Sequence, residues 1–331
     1  MDQEGQTAGT VKGGEPDVWA MVLGYNLPEV TLDCLHSLQR SDYARLKILY
    51  VDNGSEPEHA RRVVREVPGI KAIRIPINEG PVKGFNVGLS HAVRQAADTD
   101  YVMMFNNDTT VEPDTVSRMV HAADRHPGAG VIVPKIYYYD HPRVVWSAGT
   151  RIRAFPPSMV MVKSRSEERP DRHYQTRVDV ACYCVAMFRP NVLREVGLLD
   201  PDYSFFYEDY DHSLRVRKAG YDIVLADDAR MYHKISLTGG AGTNNPKFWT
   251  SYGSSVKIFY RKHGRDYPWT TGPFNHLYLM VRSVLEGHPY GIRPFLHGMK
   301  QGAAKTLAPP PGWQDDFGAV EPLTAGAPSS G

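Results

Sequence analysis

One carboxylate flanked by amides, one cluster of acidic residues and one histidine have the composition to do chemistry in this chain. Phe105-Asn106-Asn107-Asp108-Thr109 ends an apolar stretch abruptly in a carboxylate flanked by amides. Mg²⁺ prefers one or two carboxylates plus substrate phosphates to a full protein cage, so Asp108 can hold a hard cation against phosphate oxygens. The competing reading is a turn after a strand, where Asn and Asp are favoured in any case. Further along, Glu208, Asp209 and Asp211 lie beside Phe205, Phe206, Tyr207 and Tyr210 at the start of an amphipathic helical pattern. A carboxylate desolvated by aromatics has its pKa raised toward the range of a general base, which is what deprotonating a hydroxyl requires. Acidic residues also favour helix N-termini, but that effect is worth only about 0.3–1 kcal/mol each. His233 follows the β-prone run Asp222 to Ala226 and precedes Thr238-Gly239-Gly240-Ala241-Gly242. Its imidazole can join Asp108 on a divalent ion while the glycines let a loop close, although an isolated histidine is more commonly structural.

Three further polar segments sit where strands should end. Asn78-Glu79-Gly80-Pro81-Val82-Lys83-Gly84-Phe85-Asn86-Val87-Gly88 combines glycines and asparagines at a loop and helix start. There backbone can approach a ligand, and unsatisfied N–H groups can meet a diphosphate. The spacing is not that of the dinucleotide fingerprint, and the segment follows the third strand rather than the first. Val51-Asp52-Asn53-Gly54-Ser55 offers a carboxylate to a nucleobase or ribose, and Asn-Gly is also a turn signal. Tyr25-Asn26 ends the opening apolar run.

Positioning these residues on one edge requires a parallel α/β sheet. Val18 to Leu23, Lys47 to Val51, Ile70 to Ile75 and Tyr101 to Phe105 have the apolar, β-prone character of buried strands. Helical patterns alternate with them. Leu32, Leu35 and Leu38 recur behind a Pro28-Glu29 start, a second helix is expected over about Val82 to Ala97, and a third opens at Pro113-Asp114. This rhythm predicts helices on both faces and a ligand site at the carboxyl ends of the strands. After Pro134 the pattern loosens through Gln175, then tightens into a strand-like Val178 to Phe188 and a helix near Pro190 to Val196.

The expected organisation is a disordered tail over 1–16, a nucleotide-binding half over 17–135, a catalytic and acceptor-binding half of the same domain over 136–245, a helical appendage over 246–307 and a second disordered tail over 308–331. With 42% hydrophobic and 23% charged residues and a formal charge of +1, the chain is not a nucleic-acid binder driven by bulk electrostatics. Three cysteines, Cys34, Cys182 and Cys184, make no disulfide framework, and with no apolar signal at the start a cytoplasmic location is expected. Alternation in a strand would put Cys182 and Cys184 on one face as small core residues. No run reaches the roughly 18 apolar residues of a membrane-spanning helix. Phe274 to Leu307 mixes apolar residues with Arg282, Arg293, Lys300 and Lys305, as a basic amphipathic surface at the inner face of a membrane would, or a helical appendage packed on the core.

In this order the motifs resemble the family 2 glycosyltransferases, enzymes of the GT-A fold, and within them the bacterial rhamnosyltransferase-like group. The resemblance is carried by Tyr25-Asn26, Val51 to Ser55, Asn78-x-Gly80 with Gly84-x-Asn86-x-Gly88, Asn106-Asn107-Asp108, Phe206-Tyr207-Glu208-Asp209-x-Asp211, Arg215, Gly220-Tyr221 and His233. It spans about residues 18 to 240. It implies an inverting transferase that uses Mg²⁺ or Mn²⁺ and moves a sugar from a dTDP- or UDP-sugar to a hydroxyl. By the same resemblance Asp52 takes the nucleobase-contacting place, Asn106 to Asp108 replace the Asp-x-Asp element, and Asp108 and His233 hold the metal. Asp209 takes the place of the base, ahead of Glu208. Asn106 departs from the family pattern and removes one charge near the ribose and metal.

The expected partners are the sugar donor and a hydroxyl acceptor, either a lipid-linked glycan or a natural product that would meet Tyr137-Tyr138-Tyr139. Peripheral membrane contact and a homodimer stay open. A sugar nucleotidyltransferase would share the sheet and the metal carboxylate, but its glycine-rich loop would follow the first strand, where this chain has Gly24-Tyr25-Asn26-Leu27-Pro28. A silent nucleotide-sugar scaffold would have no need of a base.

Overall fold

Side-chain alternation in four apolar runs decides how the sheet is covered. In the computed structural model, which describes residues 14–153, 158–162, 167–168, 174–234, 245–265, 281, 291–310, 312 and 320–324, these runs are β1 (Val18–Gly24), β2 (Leu46–Asn53), β3 (Lys71–Ile75) and β4 (Tyr101–Asn106). They pair in parallel in the order β3-β2-β1-β4. Successive residues point to opposite faces, so Met21, Leu23, Val102 and Met104 enter one core while Val18, Ala20, Val22, Met103 and Phe105 enter the other. Helices α1 (Pro28–Gln39) and α2 (Pro57–Glu66) cover the second core, α3 (Pro81–Gln95) the first, and α4 (Thr115–Arg125) the second again. Helix α4 begins two residues later than the Pro113-Asp114 start expected, with Asp114 just before it.

The sheet continues through strands that the sequence showed less clearly. They are β5 (Thr109–Val111), β6 (Ala129–Tyr138), β7 (Val145–Ser147), the hairpin β8 (Thr150–Arg153) and β9 (Ser158–Met161), β10 (Arg177–Val178) and β11 (Val185–Phe188), followed by α5 (Pro190–Val196), α6 (Glu208–Lys218) and β12 (Asp222–His233). Strand β11 runs antiparallel between β4 and β6, and β12 lies parallel to β6, so the sheet is mostly rather than wholly parallel. The single run expected from Val178 to Phe188 divides into β10 and β11 at different places in the sheet, with a turn between them.

Pro134 lies inside β6, where the pattern was expected to loosen. Proline cannot donate to a ladder. The neighbour accommodates this: β12 pairs Ala226 with Pro134, then skips to Arg230 opposite Lys135, leaving three residues bulged out.

The C-terminal helices α7 (Pro246–His263) and α8 (Ile292–Ala304) pack on each other and, through Ile258 and Phe259 against Tyr203 and Leu214, on the elements around α6. Their backbones approach closely: a Cβ on Gly298 would stand 2.0 Å from the Thr250 carbonyl oxygen. Arg293, Lys300 and Lys305 are exposed, whereas Arg282 lies outside the described residues, as do Thr238 to Gly242. No helix among the described residues is long and apolar enough to cross a membrane. The final segment is not wholly a tail: β13 (Glu321–Pro322) pairs antiparallel with β3, and Leu323 packs on the second core. An edge strand with open backbone groups accepts such pairing, and proline is tolerated there.

Asn86, expected at the ligand, instead ties the two halves of the domain together. It is fully buried, its amide nitrogen donates to the Leu199 carbonyl at 2.7 Å, and its oxygen accepts from the Leu199 N–H at 2.9 Å. Gly84 is likewise a packing residue, since a Cβ there would come 2.8 Å from the Leu23 side chain. Asn86→Ala should therefore cost about 1–3 kcal/mol for each backbone group left unpaired, read as a fall in urea midpoint at unchanged slope.

Candidate functional site

The parallel strands β1, β2, β4 and β12 end on one edge of the sheet, and their last residues bring the polar segments together. Gly24 stands opposite Asp52, and Leu23 opposite Asn106. At the β2 end the Asp52 carboxylate is buried, accepts from Tyr50 Oη at 3.2 Å and the Ser55 N–H at 3.3 Å, and pairs with Arg74 at 3.0 Å. Burial pushes its pKa up, and Ser55 and Arg74 offset part of the rise. The Asn53 amide nitrogen donates to Asn78 Oδ1 and to the Gly80 carbonyl, both at 3.2 Å, while its oxygen is enclosed with no hydrogen-bond partner among the described residues. Asn78 Oδ1 also accepts from the Gly80 N–H at 2.8 Å, and Gly80 has φ +99°, open to glycine and strained for others. Asn26 is tied to the same loop through Ser55 and the Glu56 N–H, and Tyr25 is exposed beside it.

At the β4 end, Asn106 is half-buried and donates its N–H to the Cys184 carbonyl at 2.9 Å. Asn107 is buried with its amide on Thr31 Oγ1 at 2.9 Å, so it serves the turn between β4 and β5. Asp108 faces His233, the last residue of β12, with Oδ1 and Nε2 3.2 Å apart. The pairing of β12 with β5 and the Lys234 N–H on the Asp108 carbonyl at 2.8 Å fix that register. The Trp146 and His233 rings pack in a T-shaped contact with centroids 5.2 Å apart.

The third component is the first turn of α6. Phe206 and Tyr207 adopt left-handed backbone with φ 71° and 68°, a conformation costing about 1–3 kcal/mol each away from glycine. Aromatic packing supports it: Phe206 lies 4.9 Å from Phe248 and 5.3 Å from Tyr252, and Tyr207 lies 5.0 Å from Phe259. The turn delivers Glu208 and Asp209 to the helix start. Burial, then the charge of Asp209, push Glu208 up to about 8, and its Oε2 is enclosed with no hydrogen-bond partner among the described residues. Burial also raises Asp209, but hydrogen bonds from the Tyr210 and Tyr183 N–H groups and the Cys182 thiol restrain it to about 6. Burial thus raises both carboxyls, and Glu208 is raised further because it lacks the donors that restrain Asp209.

Asp211, grouped above with the catalytic carboxylates, has a different task. Burial would raise it, yet His263 at 2.7 Å and Arg215 at 2.8 Å hold it down to about 2. It joins α6 to α7 as a committed anion. Arg215 extends the anchor to the carbonyls of Val196 and Leu198, each at 2.8 Å.

The sequence did not single out the turn at Tyr183 for this site. Cys182 and Cys184, expected as strand core residues, lie in that turn with their sulfurs 3.4 Å apart, and Cys184 Sγ stands 3.7 Å from His233 Nδ1. The hydrogen bond to Cys182 and then burial keep the Cys184 thiol neutral. Tyr183 gives its N–H to Asp209 Oδ2 at 3.4 Å, and its hydroxyl bridges Ser213 and the buried, neutral His212. The one available signal was the Cys-x-Cys spacing immediately ahead of β11.

The sequence profile described as glycosyl transferase family 2 matches residues 21–197. The chain belongs to this family. Relatives of this family 2 member include an uncharacterised protein of Sinorhizobium fredii, 28% identical over 61% of the chain but only 23% of that protein. Another is the N-acetylglucosaminyl-diphospho-decaprenol L-rhamnosyltransferase of Mycobacterium tuberculosis, 24% identical over 62% of the chain and 72% of the relative. Among solved structures, GalNAc-T7 with UDP, GalNAc and Mn²⁺ superposes with a TM-score of 0.53 at 16% identity, covering 79% of this chain and 53% of that one. The mannosyltransferase PcManGT of Pyrobaculum calidifontis, in complex with GDP-Man and Mn²⁺, gives 0.51 at 16% identity over 89% and 77%. These likenesses establish the GT-A fold.

The opposed ionisation of the carboxylates gives them opposite effects on stability. Asp211→Asn should destabilise by about 3–5 kcal/mol, as expected for breaking a buried ion pair. Asp209→Asn should be neutral or stabilising, because a carboxyl raised by folding opposes the folded state once ionised. The Asp211 contribution is present above about pH 4 and is lost as pH falls toward 2, whereas the raised Asp209 lowers stability as pH rises from about 4 to 6. Urea midpoints of the two variants across that range test both signs.

Proposed function

We propose that this chain transfers a glycosyl group from a nucleoside diphosphate sugar to a hydroxyl acceptor with inversion at the anomeric carbon. The carrying observation is the unbroken contact path Asp209–Cys182–Cys184–His233–Asp108, which sets a poised base beside a carboxylate–imidazole pair on one sheet edge. The loops after β1, β2 and β3 receive the nucleoside, with Arg74 and Asp52 shaping the floor and the uncommitted Asn53 oxygen offering an acceptor.

Asp108 and His233 fit a divalent cation. One carboxylate and one imidazole, both buried and converging to 3.2 Å, suit an ion whose remaining positions come from a diphosphate and water. No group of three or more His, Cys, Asp or Glu able to hold a metal occurs among the described residues, so any ion would depend on the nucleotide for ligands. Mg²⁺ or Mn²⁺ bound there would stabilise negative charge on the departing diphosphate.

The chain's own residues supply the rest. Asp209, ionised at neutral pH, takes the acceptor proton as the hydroxyl oxygen attacks from the face opposite the leaving group, and a single displacement inverts the anomeric centre. Protonated Glu208 leaves Asp209 as the sole charge of the pair, and the α6 N-terminus stabilises that charge before and after substrate binds. The acceptor approaches over the Phe205-Phe206-Tyr207 side, where Phe205 and Tyr252 are at least partly exposed. A dTDP- or UDP-sugar is the proposed donor.

Two measurements test this. Thermal shifts with UDP, dTDP, GDP and CDP, each with Mn²⁺ or EDTA, should show metal-dependent stabilisation by one of them. Asp108→Ala should abolish the metal dependence, and equal shifts with Mn²⁺ and EDTA in the parent protein would reject the metal pair. With the donor known, slow hydrolysis of its sugar reports the chemistry. Its rate should fall with an apparent pKa near 6, about two units above an ordinary aspartate, as Asp209 takes up a proton. Asp209→Asn should lower that rate by roughly 10²–10⁴-fold while leaving nucleotide affinity within about twofold. Retained turnover would move the base to Glu208.

A further inference from the structure

We propose that Cys182 and Cys184 are a dithiol modification site, which a small-molecule disulfide oxidises to an intramolecular disulfide that disables the adjoining nucleotide site. No step of the reaction above uses either sulfur, yet the pair sits between its two halves. The sulfurs are 3.4 Å apart, Cys184 buried and Cys182 half-buried. In an extended strand, side chains two residues apart stand about 6–7 Å from each other. Here the chain leaves the sheet after β10 and turns before β11, and the turn folds the two sulfurs into contact. A further approach of roughly 1.4 Å reaches the bonded distance of about 2.05 Å.

The chemistry balances with a disulfide oxidant RSSR. Cys182, the more accessible sulfur, attacks one sulfur of RSSR, giving Cys182–S–S–R and one RSH that carries the proton Cys182 gave up. Cys184 then attacks the Cys182 sulfur, forming the Cys182–Cys184 bond and expelling the second RSH with its own proton. Two electrons pass from the protein thiols to the oxidant. Both S–H donors disappear. Asp209 loses the hydrogen bond from Cys182, and His233 Nδ1 loses the thiol facing it at 3.7 Å. Groups that orient a metal-binding imidazole typically govern affinity by about 10–100-fold, so nucleoside diphosphate binding with Mn²⁺ should weaken by that factor. Cys34 lies against the Asn106 carbonyl and Thr109, not against either partner, and serves as the reference thiol.

The experiment equilibrates the purified chain with reduced and oxidised glutathione in graded ratios, alkylates it in denaturant and maps the cysteines by mass spectrometry. Expected is a peptide containing residues 182 and 184 that has lost two hydrogens, with Cys34 alkylated and full reversal by dithiothreitol. In parallel, the nucleoside diphosphate that binds the reduced protein with Mn²⁺ should bind the oxidised protein about 10–100-fold more weakly, and Cys182→Ser should lose this response to oxidant. Alkylation of both cysteines at every ratio would overturn the proposal, as would a disulfide that leaves affinity unchanged. The second readout rests on the proposed function, and the first does not. If the reduced protein binds no nucleoside diphosphate, the transferase reading falls, and the mass map alone then decides whether the bond forms.

Discussion

Two neighbouring carboxylates withdrawn from water cannot both carry charge, and much of the second half of this domain is arranged around that constraint. Glu208 and Asp209 are consecutive residues at a helix start, where backbone N–H groups and the helix dipole favour negative charge. Asp209 is the better placed of the two to hold it, because Tyr183, Tyr210 and Cys182 direct donors at it, while Glu208 Oε2 meets none among the described residues. Sequence adjacency thus becomes functional asymmetry through the donors that the fold supplies.

Holding such a pair requires rigidity elsewhere. The left-handed Phe206 and Tyr207 are unfavourable in isolation and persist because Phe248, Tyr252 and Phe259 enclose them. Those rings belong to α7, and α7 is docked by the hydrogen bond between His263 and Asp211. Asp211 and Asp209 therefore form a division of labour within one helical turn. The first is held as an anion by Arg215 and by its hydrogen bond with His263, and strengthens the fold. The second has hydrogen-bond donors but no cation beside it among the described residues, which leaves its carboxyl raised. If Asp209 is the proposed base, stability and reactivity pull in opposite directions at neighbouring residues.

The parallel half of the sheet was legible in the sequence because its strands are uniformly apolar and the helices between them are periodic. Strand ends carrying Asp52, Asn78, Asn106 and Asp108 followed from the same pattern. The second half was less legible for identifiable reasons. Pro134 disguised a central strand, and only the skipped pairing in β12 explains how it is tolerated. Asn86 and Gly84 lie in a segment that looks ligand-directed, yet their partners are Leu199, Leu23 and Asn53, chosen by long-range packing that no local pattern reveals. Asp211 differs from Asp209 only by its contacts, and one of these comes from His263, fifty-two residues on. The role of the Cys182 to Cys184 turn depends on β11 entering the sheet between β4 and β6, a topology invisible to periodicity.

The departure at Asn106 bears on how few charges such a site needs. A full protein cage would bind a divalent ion whether or not nucleotide is present, and would retain it after the diphosphate leaves. One carboxylate and one imidazole give a weaker grip, so in the proposed reaction occupancy would follow that of the diphosphate. In that proposed reaction an amide at Asn106, where a carboxylate would hold a cation without the donor, would strengthen this coupling. The amide can still orient through hydrogen bonds, since it both donates and accepts. Under the proposed function, a site with fewer fixed charges would make cation binding and donor binding a single event, at the expense of affinity for either one alone.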